Sequence, residues 1–454
     1  MNRIAGRARS LILLTALLLG GLAFFVGEFF AKAQQWIVFP RSPHVYTAGN
    51  IGCGVVVDRE GYLLLDLNDK REYSKDLALR MSTVHWVGDR YGSIYAPALS
   101  HYAEEISGFD ILNGVYSYGQ YGAVQSLTLS AKVQKAALEA LGQKKGTVAV
   151  YNYKTGQLLC SVTTPTYDPD NVPDWKNDTT GAYEGMFLNR FTQVTYTPGS
   201  IFKIVTAAAV LEKNPAILEE TFTCQSVYNM GVDTITCETS HGRQNLKEAF
   251  FNSCNCAFAQ ISQLLGGEDL GTYVQESGVT ESVYFDGIHT AQGQYQVDAS
   301  AVNVAWSAVG QFTDLINPCA FLTYVGAVAN GGQGVKPYLV EEIRQGNSVT
   351  YQAKTVTADR VMSEQTAQTL QEYMRNNVAN KYGDGNFPGL TVCAKTGTAE
   401  VAGSRPNAML AGFVTDEAYP LAFVICVQDA GYGRSVCIPI ASQVLAACKE
   451  LLDQ

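Results

Sequence analysis

The sequence has few charged residues and very few histidines. Charged side chains make up 16% of the 454 residues and the formal net charge is −10, which leaves no basic surface of the size that a nucleic acid needs. The five histidines are scattered, and Cys254-x-Cys256 has the wrong spacing for a zinc knuckle. We therefore predict no nucleic-acid partner, no metal ligands and no cofactor.

Hydrophobic residues, by contrast, are abundant, at 47% of the chain. This composition excludes a disordered or collagen-like chain, and the length predicts at least two domains. The eleven cysteines are an odd number, so at least one has no partner within the chain. Cys224 and Cys237 bracket a turn and are candidates for a disulfide, while Cys393 and Cys426 lie in apolar runs typical of buried thiols. The sequence leaves the disulfide state open.

An uncharged segment near the N-terminus predicts a membrane helix. The run from Ser10 to Gly27 has no charged residue and follows three arginines. As a helix it spans about 27 Å, close to the roughly 30 Å of a hydrocarbon core, and the arginines favour a cytoplasmic N-terminus. We predict a cytoplasmic tail at 1–9, a single-pass anchor at 10–30 and an extracytoplasmic remainder on the cell membrane. A cleaved signal peptide is the alternative, because Ala31-Lys32-Ala33 resembles a cleavage site.

The remaining chain divides into two predicted domains. Residues 34–125 are rich in Tyr, Gly and Ser without sustained periodicity, which predicts a small, irregular pedestal domain. Residues 127–454 form the main domain. It opens with an amphipathic helix over Leu127 to Leu141 and a hairpin made by Thr147 to Tyr153 and Gln157 to Thr163.

The end of the main domain predicts the rest of the same sheet. Three strands are predicted at Thr391 to Val401, Ala408 to Thr415 and Leu421 to Asp429, followed by a helix from Cys437 to Leu452. The predicted strands thus lie at both ends of the main domain, and its middle segment is inserted between them in the sequence. We therefore predict an α+β fold in which helices flank an antiparallel sheet and the inserted subdomain is all-helical.

The first chemical motif is Ser200-x-x-Lys203, which follows the helix-breaking pair Pro198-Gly199. The helix predicted from Ser200 is apolar on nearly every face and therefore buried. Residues three apart lie on one face of a helix, so the lysine amine reaches the serine hydroxyl. Burial lowers the pKa of an amine, which then acts as the base that activates the serine.

Two further motifs follow in order. Ser253-Cys254-Asn255 and Lys395-Thr396-Gly397-Thr398 complete a set that, with S-x-x-K, marks penicillin-binding proteins and serine β-lactamases. The main domain resembles a penicillin-binding protein transpeptidase domain. The segment from Cys53 to Gly61 resembles the pedestal opening of class B members, with cysteine in place of the leading arginine.

The resemblance implies a role for each motif residue. Ser200 is the nucleophile, Lys203 takes its proton, Ser253 relays a proton to the leaving amine, and Asn255 orients Lys203. Lys395 binds the substrate carboxylate. The resemblance further implies that Thr396, Gly397 and Thr398 form the substrate-binding strand, and that the N–H groups of Ser200 and Thr398 form the oxyanion hole.

A second K-T-G motif tests this assignment. Lys154-Thr155-Gly156 precedes the nucleophile and falls at the turn of the predicted hairpin, where Thr-Gly is ordinary turn chemistry. Chain order therefore assigns function to Lys395 and none to Lys154.

The implied activity is a class B peptidoglycan D,D-transpeptidase that is inhibited by β-lactams and forms a serine acyl-enzyme on D-Ala-D-Ala termini. The alternatives are a D,D-carboxypeptidase, a β-lactamase, or a β-lactam-binding receptor or scaffold without turnover. The chain has no room for a glycosyltransferase domain before the pedestal, so we expect a SEDS-family membrane glycosyltransferase as partner. A role in division or in elongation is left open.

Overall fold

The computed structural model describes residues 2–39, 42–43, 45–68, 71–107, 123–231, 233–296, 300–401 and 403–454. Part of the predicted pedestal, residues 108–122, lies outside the described residues. The described α-helices, numbered in chain order, are α1 Asn2–Ile37, α2 Leu77–Val87, α3 Pro97–His101, α4 Ala103–Ser107, α5 Ala131–Leu141, α6 Lys203–Lys213, α7 Leu246–Asn252, α8 Asn255–Leu265, α9 Gly267–Ser277, α10 Ala301–Ala308, α11 Pro318–Ala329, α12 Glu364–Asn377 and α13 Gly433–Leu452.

The described strands belong to several separate sheets. In chain order they are β1 Tyr46–Thr47, β2 Asn50–Ile51, β3 Val55–Val57, β4 Leu63–Asp66, β5 Glu72–Tyr73, β6 Val124–Leu127, β7 Gly146–Asn152, β8 Leu158–Thr164, β9 Phe222–Cys224, β10 Val227–Met230, β11 Asp233–Thr236, β12 Gly242–Gln244, β13 Tyr284–Phe285, β14 Ile288–His289, β15 Gln333–Val335, β16 Val340–Gln345, β17 Ser348–Gln352, β18 Thr357–Arg360, β19 Val392–Ala399, β20 Asn407–Val414 and β21 Leu421–Val427.

The central sheet joins the two ends of the main domain, as the sequence predicts. Its order is β19-β20-β21-β7-β8, and every neighbouring pair is antiparallel. All residues of β20 and β21 are buried because both faces of the sheet are covered. Leu410 and Phe423 pack with side chains of α5 and α13, whereas Met409 and Val424 belong to the core that contains α11. This alternation is the two-residue period of a strand.

Helix α1 is the candidate membrane anchor. It is 36 residues long, and the most apolar 18-residue window of its candidate span Arg3–Ala33 has no buried residue. Helix α13 also has the necessary length and hydropathy, but half of its apolar window is buried. Its packing on α5 and β20 marks α13 as a core helix.

The segment predicted to be irregular contributes short strands to a six-stranded sheet, whose pairing is interrupted by register shifts. Its order is β17-β16-β6-β3-β4-β5, so the hairpin β16–β17 from the main domain completes it. Strands of two to six residues that pair with a distant hairpin leave no local periodicity to detect. The carboxylate of Asp58 accepts hydrogen bonds from Glu60 N, Tyr62 N and Ala131 N, which ties this sheet to the first residue of α5.

Two predictions about local structure need correction. The helix predicted from Leu127 begins at Ala131, because residues Val124–Leu127 form strand β6, which runs parallel to β3. The inserted subdomain is not all-helical, since two-stranded ladders such as β10–β11 and β9–β12 interrupt its helices. These strands are only three or four residues long, too short for a two-residue period to identify them in the sequence.

Candidate active site

The nucleophile motif lies where a short 3₁₀ turn, Gly199–Phe202, runs into α6. Lys203 is the first residue of α6 and is fully buried, and its Nζ lies 2.8 Å from Ser200 Oγ. Gly199 has a φ of +54°, and a Cβ at this position would lie 2.7 Å from Thr398 O. A glycine is therefore required for the turn to fit against β19.

Gly310 supports the same turn from the other side. Its carbonyl accepts a hydrogen bond of 2.8 Å from Gly199 N. The φ of Gly310 is +78°, and a Cβ here would overlap the Gly199 carbonyl oxygen and crowd Phe202. Two facing glycines thus fix the backbone that carries Ser200.

The second motif lies between two helices. Ser253 ends α7 in the left-handed conformation, with a φ of 56°, and α8 begins at Asn255. Lys203 Nζ lies 3.0 Å from Ser253 O, 3.4 Å from Ser253 Oγ and 2.7 Å from Asn255 Oδ1. Asn255 Nδ2 in turn donates to Thr236 O at 3.0 Å. The amide of Asn255 is held at both ends, so it holds Lys203 in place.

The third motif forms the outer half of β19, the edge strand of the central sheet. Lys395 Nζ lies 2.9 Å from Ser253 Oγ and donates to Thr396 O at 3.0 Å. The Lys395 side chain is buried at 1% exposure, and its Nζ also lies over the Phe250 ring. Thr398 Oγ1 accepts from Gly433 N at 3.3 Å. Lys395 therefore contacts Ser253 from the protein interior, while Thr396 and Thr398 line the cleft.

Gly397 is the close-packing residue of this strand. A Cβ at Gly397 would lie 2.9 Å from Pro198 O and 3.1 Å from Ile201 Cγ2. Its lack of a side chain lets β19 approach the 3₁₀ turn that carries the nucleophile. Gly397 lies between the strand and the turn, while its neighbours Thr396 and Thr398 line the cleft.

Burial sets the charge state of the two lysines. Desolvation lowers the pKa of Lys203 to about 8, although the neighbouring Cys237 and Cys254 oppose the shift. Desolvation also lowers the pKa of Lys395 well below its usual range, and the positive charges of Lys203 and Lys381 add to this effect. Two ammonium groups around one serine hydroxyl repel each other. The arrangement therefore favours a neutral amine near neutral pH.

A cleft of about 890 Å³ opens over these residues, and its lining includes Ser200, Ser253, Asn255, Thr396 and Thr398. Lys203 and Lys395 lie just behind it. Sequence reasoning missed Lys381, Tyr382 and Arg434, which also line the cleft. Tyr382 OH lies 3.0 Å from Thr396 Oγ1. These residues belong to no motif, and only the fold brings them to the cleft.

The second K-T-G lies elsewhere. Lys154 is exposed, and its Nζ donates to Asn330 Oδ1 at 2.6 Å. It contributes nothing to the cleft that the described residues form. The structure thus gathers the residues predicted for the site and leaves out the identical motif that chain order rejects.

Four residues that the sequence leaves scattered meet beside the second motif. The ligand-type atoms of Cys224, Cys237, His241 and Cys254 all lie within 4.8 Å of one another. Cys224 and Cys237, the candidate disulfide pair, are free thiols in the structure. The prediction of no metal ligands rested on the scattered histidines and on the spacing of Cys254-x-Cys256, and it did not include this set, because the sequence does not indicate the strands β9, β11 and β12 that bring the four residues together.

Comparison with known proteins agrees with this geometry. Residues 146–446 match the profile described as penicillin binding protein transpeptidase domain. The peptidoglycan D,D-transpeptidase PbpA of Mycolicibacterium smegmatis is 27% identical over 351 residues, which cover 70% of this chain and 71% of that protein. Stage V sporulation protein D of Bacillus subtilis is 28% identical over 369 residues, covering 76% of this chain and 52% of that protein.

Solved structures show the same fold. Penicillin-binding protein A from M. tuberculosis, in a ceftriaxone acyl-enzyme complex, superposes with a TM-score of 0.77 at 23% identity, covering 87% of this chain and 98% of that one. The profile match extends over more than half of the sequence and includes all three motifs. The chain therefore belongs to the penicillin-binding protein transpeptidase family.

Proposed function

We propose that this protein is a peptidoglycan D,D-transpeptidase that works through an acyl-enzyme on Ser200. One observation carries the proposal: the buried amine of Lys203 contacts both Ser200 Oγ and Ser253 Oγ. A buried amine with a lowered pKa between two serine hydroxyls is suited to move a proton from the nucleophile to a leaving group. The relatives named peptidoglycan D,D-transpeptidase support the same conclusion.

The residues divide the acyl transfer into two steps. Ser200 Oγ attacks the carbonyl of the penultimate D-Ala while Lys203 accepts the hydroxyl proton. The C–N bond then breaks, and the proton reaches the departing D-Ala amine through Ser253. In the second step an amine of a neighbouring stem peptide attacks the ester and reforms an amide, which regenerates the Ser200 hydroxyl. A β-lactam enters the first step in the same way and leaves a stable ester.

The substrate carboxylate has a matching surface at β19. The hydroxyls of Thr396 and Thr398 line the cleft, and Arg434 lines it from the first turn of α13. Lys395 is buried and its Nζ contacts Ser253 Oγ, so its effect on the carboxylate is indirect. We assign the carboxylate contact to Thr396, Thr398 and Arg434, with Lys395 behind them.

The location of the enzyme follows from α1. We propose that α1 anchors the chain in the cell membrane as a single pass and that the catalytic domain lies outside the cytoplasm. Cross-linking requires glycan strands, and we propose that a SEDS-family membrane glycosyltransferase supplies them. The anchor rests on the apolar, unburied window within Arg3–Ala33, and the partner rests on the implied reaction.

Labelling with a fluorescent penicillin tests the nucleophile. The full-length protein in detergent should form one covalent adduct, and peptide mass spectrometry should map it to Ser200. Ser200→Ala should abolish labelling, whereas Ser435→Ala, which changes a cleft serine outside the motifs, should leave it intact. Labelling that survives Ser200→Ala would contradict the assignment.

A second assay separates the related activities. A donor peptide ending in D-Ala-D-Ala is incubated with an amine acceptor, and the products are analysed by mass spectrometry. A transpeptidase gives the amide of the acceptor, a D,D-carboxypeptidase gives only the shortened acid, and a β-lactamase returns hydrolysed penicillin instead of a stable adduct.

A further inference from the structure

We propose that Cys224, Cys237, His241 and Cys254 form a structural zinc site that fixes the Ser253-Cys254-Asn255 motif to the wall of the cleft. The metal-binding part stands on geometry alone. The positioning part rests on the function proposed above. All four residues lie outside the reacting groups, so the zinc ion would have no direct part in acyl transfer.

The distances fit a tetrahedral zinc ion. His241 Nδ1 lies 3.5 Å from Cys224 Sγ and 3.5 Å from Cys237 Sγ, and Cys237 Sγ lies 4.0 Å from Cys254 Sγ. Zinc–sulfur bonds of about 2.3 Å and zinc–nitrogen bonds of about 2.0 Å at tetrahedral angles require S···N edges of about 3.5 Å and S···S edges of about 3.8 Å. The set therefore surrounds a space of the right size.

The chemistry of the set selects the metal and the kind of site. Three thiolates and one imidazole form a Cys₃His group, and four protein ligands leave no open position for a catalytic water. Soft sulfur donors favour zinc over magnesium or calcium. On binding, the three thiols release their protons to solvent, and the neutral imidazole binds through Nδ1. No oxidant or reductant is needed.

The local fold is arranged to hold thiolates. Cys254 caps the N-terminus of α8, where its Sγ accepts a hydrogen bond from Ala257 N at 3.4 Å. The first N–H groups of α8 also face the Cys237 sulfur. Backbone donors and the positive end of a helix both stabilise negative charge. These N–H groups provide the second shell that orients metal ligands.

Burial divides the four ligands between core and cleft. Cys224 and Cys254 are buried, whereas Cys237 and His241 are half-buried and line the cleft. The cleft thus gives the ion a path to the site. The four residues come from the end of β9, the residue after β11, the residue before β12 and the start of α8, so one ion joins four separate backbone segments.

The site connects to the catalytic residues through short covalent and hydrogen-bonded links. Cys254 lies between Ser253 and Asn255 in the sequence. Cys237 follows Thr236, whose carbonyl accepts the hydrogen bond from Asn255 Nδ2. Fixing the two cysteines therefore fixes both Ser253 and the amide that holds Lys203 Nζ. Loss of the ion should loosen these contacts and slow acylation.

Metal analysis of the full-length protein is the direct test. Protein purified in detergent with zinc present and then freed of loose ions should contain about one zinc per chain. Cobalt exchange should give the d–d absorption bands of a tetrahedral thiolate site. Cys237→Ser and His241→Ala should each weaken zinc binding by at least about tenfold. These two residues are chosen because they are half-buried and outside the three motifs.

Cys256 provides the matched control. It lies two residues from Cys254 and its thiol is close to Cys224 and Cys237, but its Sγ donates to Ile235 O at 3.6 Å and it is not one of the four grouped ligands. Cys256→Ala should keep the full zinc content. The site would be disproved by a zinc-free wild type that cobalt also fails to load. It would also be disproved by equal zinc loss in Cys256→Ala, or by a Cys237–Cys254 disulfide in non-reducing mass spectrometry.

Penicillin labelling tests the positioning role separately. Chelation should slow acylation of the wild type several-fold, zinc should restore the rate, and His241→Ala should show the slow rate without a response to chelator. Acylation that is unchanged after complete zinc removal would overturn the positioning role. Failure of the proposed function would look different, because labelling would then be absent while zinc content remained at about one per chain.

Discussion

Lys395→Ala and Lys154→Ala form a pair in which the same motif serves as test and control. Lys395 Nζ lies 2.9 Å from Ser253 Oγ inside the protein, whereas Lys154 Nζ contacts Asn330 Oδ1 and the Tyr153 ring at the surface. A buried hydrogen bond whose removal leaves its partner unsatisfied is worth about 1–3 kcal/mol. Its loss should lower the acylation efficiency by about ten- to a hundredfold, since about 1.4 kcal/mol corresponds to a factor of ten.

The Lys154 change should alter acylation by less than about twofold, because surface substitutions of this kind usually change stability by no more than about 0.5 kcal/mol. The assay is the second-order rate of penicillin acylation, with thermal unfolding measured in parallel. Lys395→Met serves as a further variant, since it keeps most of the buried stem while removing the amine. It should lose acylation like Lys395→Ala but remain better folded.

The reasoning would be refuted if folded Lys395→Met acylated at the wild-type rate. It would be refuted equally if Lys154→Ala alone abolished acylation. Either result would show that contact with Ser253 does not matter for the reaction, and that the edge strand of the central sheet is not the strand that serves the substrate.

Three further results are expected. The acylation rate should rise with pH through about 8, because the neutral fraction of Lys203 increases there, and a flat profile would contradict its role as base. Gly310→Ala should lower both thermal stability and acylation because its Cβ would overlap Gly199 O, whereas Gly346→Ala, also at a positive φ, has open space for the Cβ and should show only backbone strain. Membrane fractionation should recover the protein with an intact N-terminus, and N-terminal sequencing that starts at Gln34 would indicate a cleaved signal instead.

The sequence was most informative where a pattern was long or its order was distinctive. The strands β20 and β21 are continuous apolar runs, and such runs indicate a sheet that is covered on both faces. The three motifs identified the reacting groups because their chain order is restrictive. Lys154 shows the value of this criterion, since composition alone does not distinguish it from Lys395.

Features that depend on distant pairing could not be predicted. Nothing near Cys224 indicates that β9 pairs with β12, which brings Cys224 close to His241. Arg434 and Tyr382 reach the cleft only because α13 and the segment after α12 pack beside β19. A single sequence reports local periodicity, whereas contacts of this kind are set by the tertiary packing as a whole.

The pedestal sheet also constrains how the chain folds during synthesis. Strand β16 lies between β6 and β17 in that sheet, yet Val340 is made long after its partner Leu127. Until β16 emerges, β6 presents an unpaired edge of the kind that binds other chains. Pairing of such high contact order is slow, so the pedestal and the catalytic core must mature together, and the protein cannot be assembled from two independently folding halves.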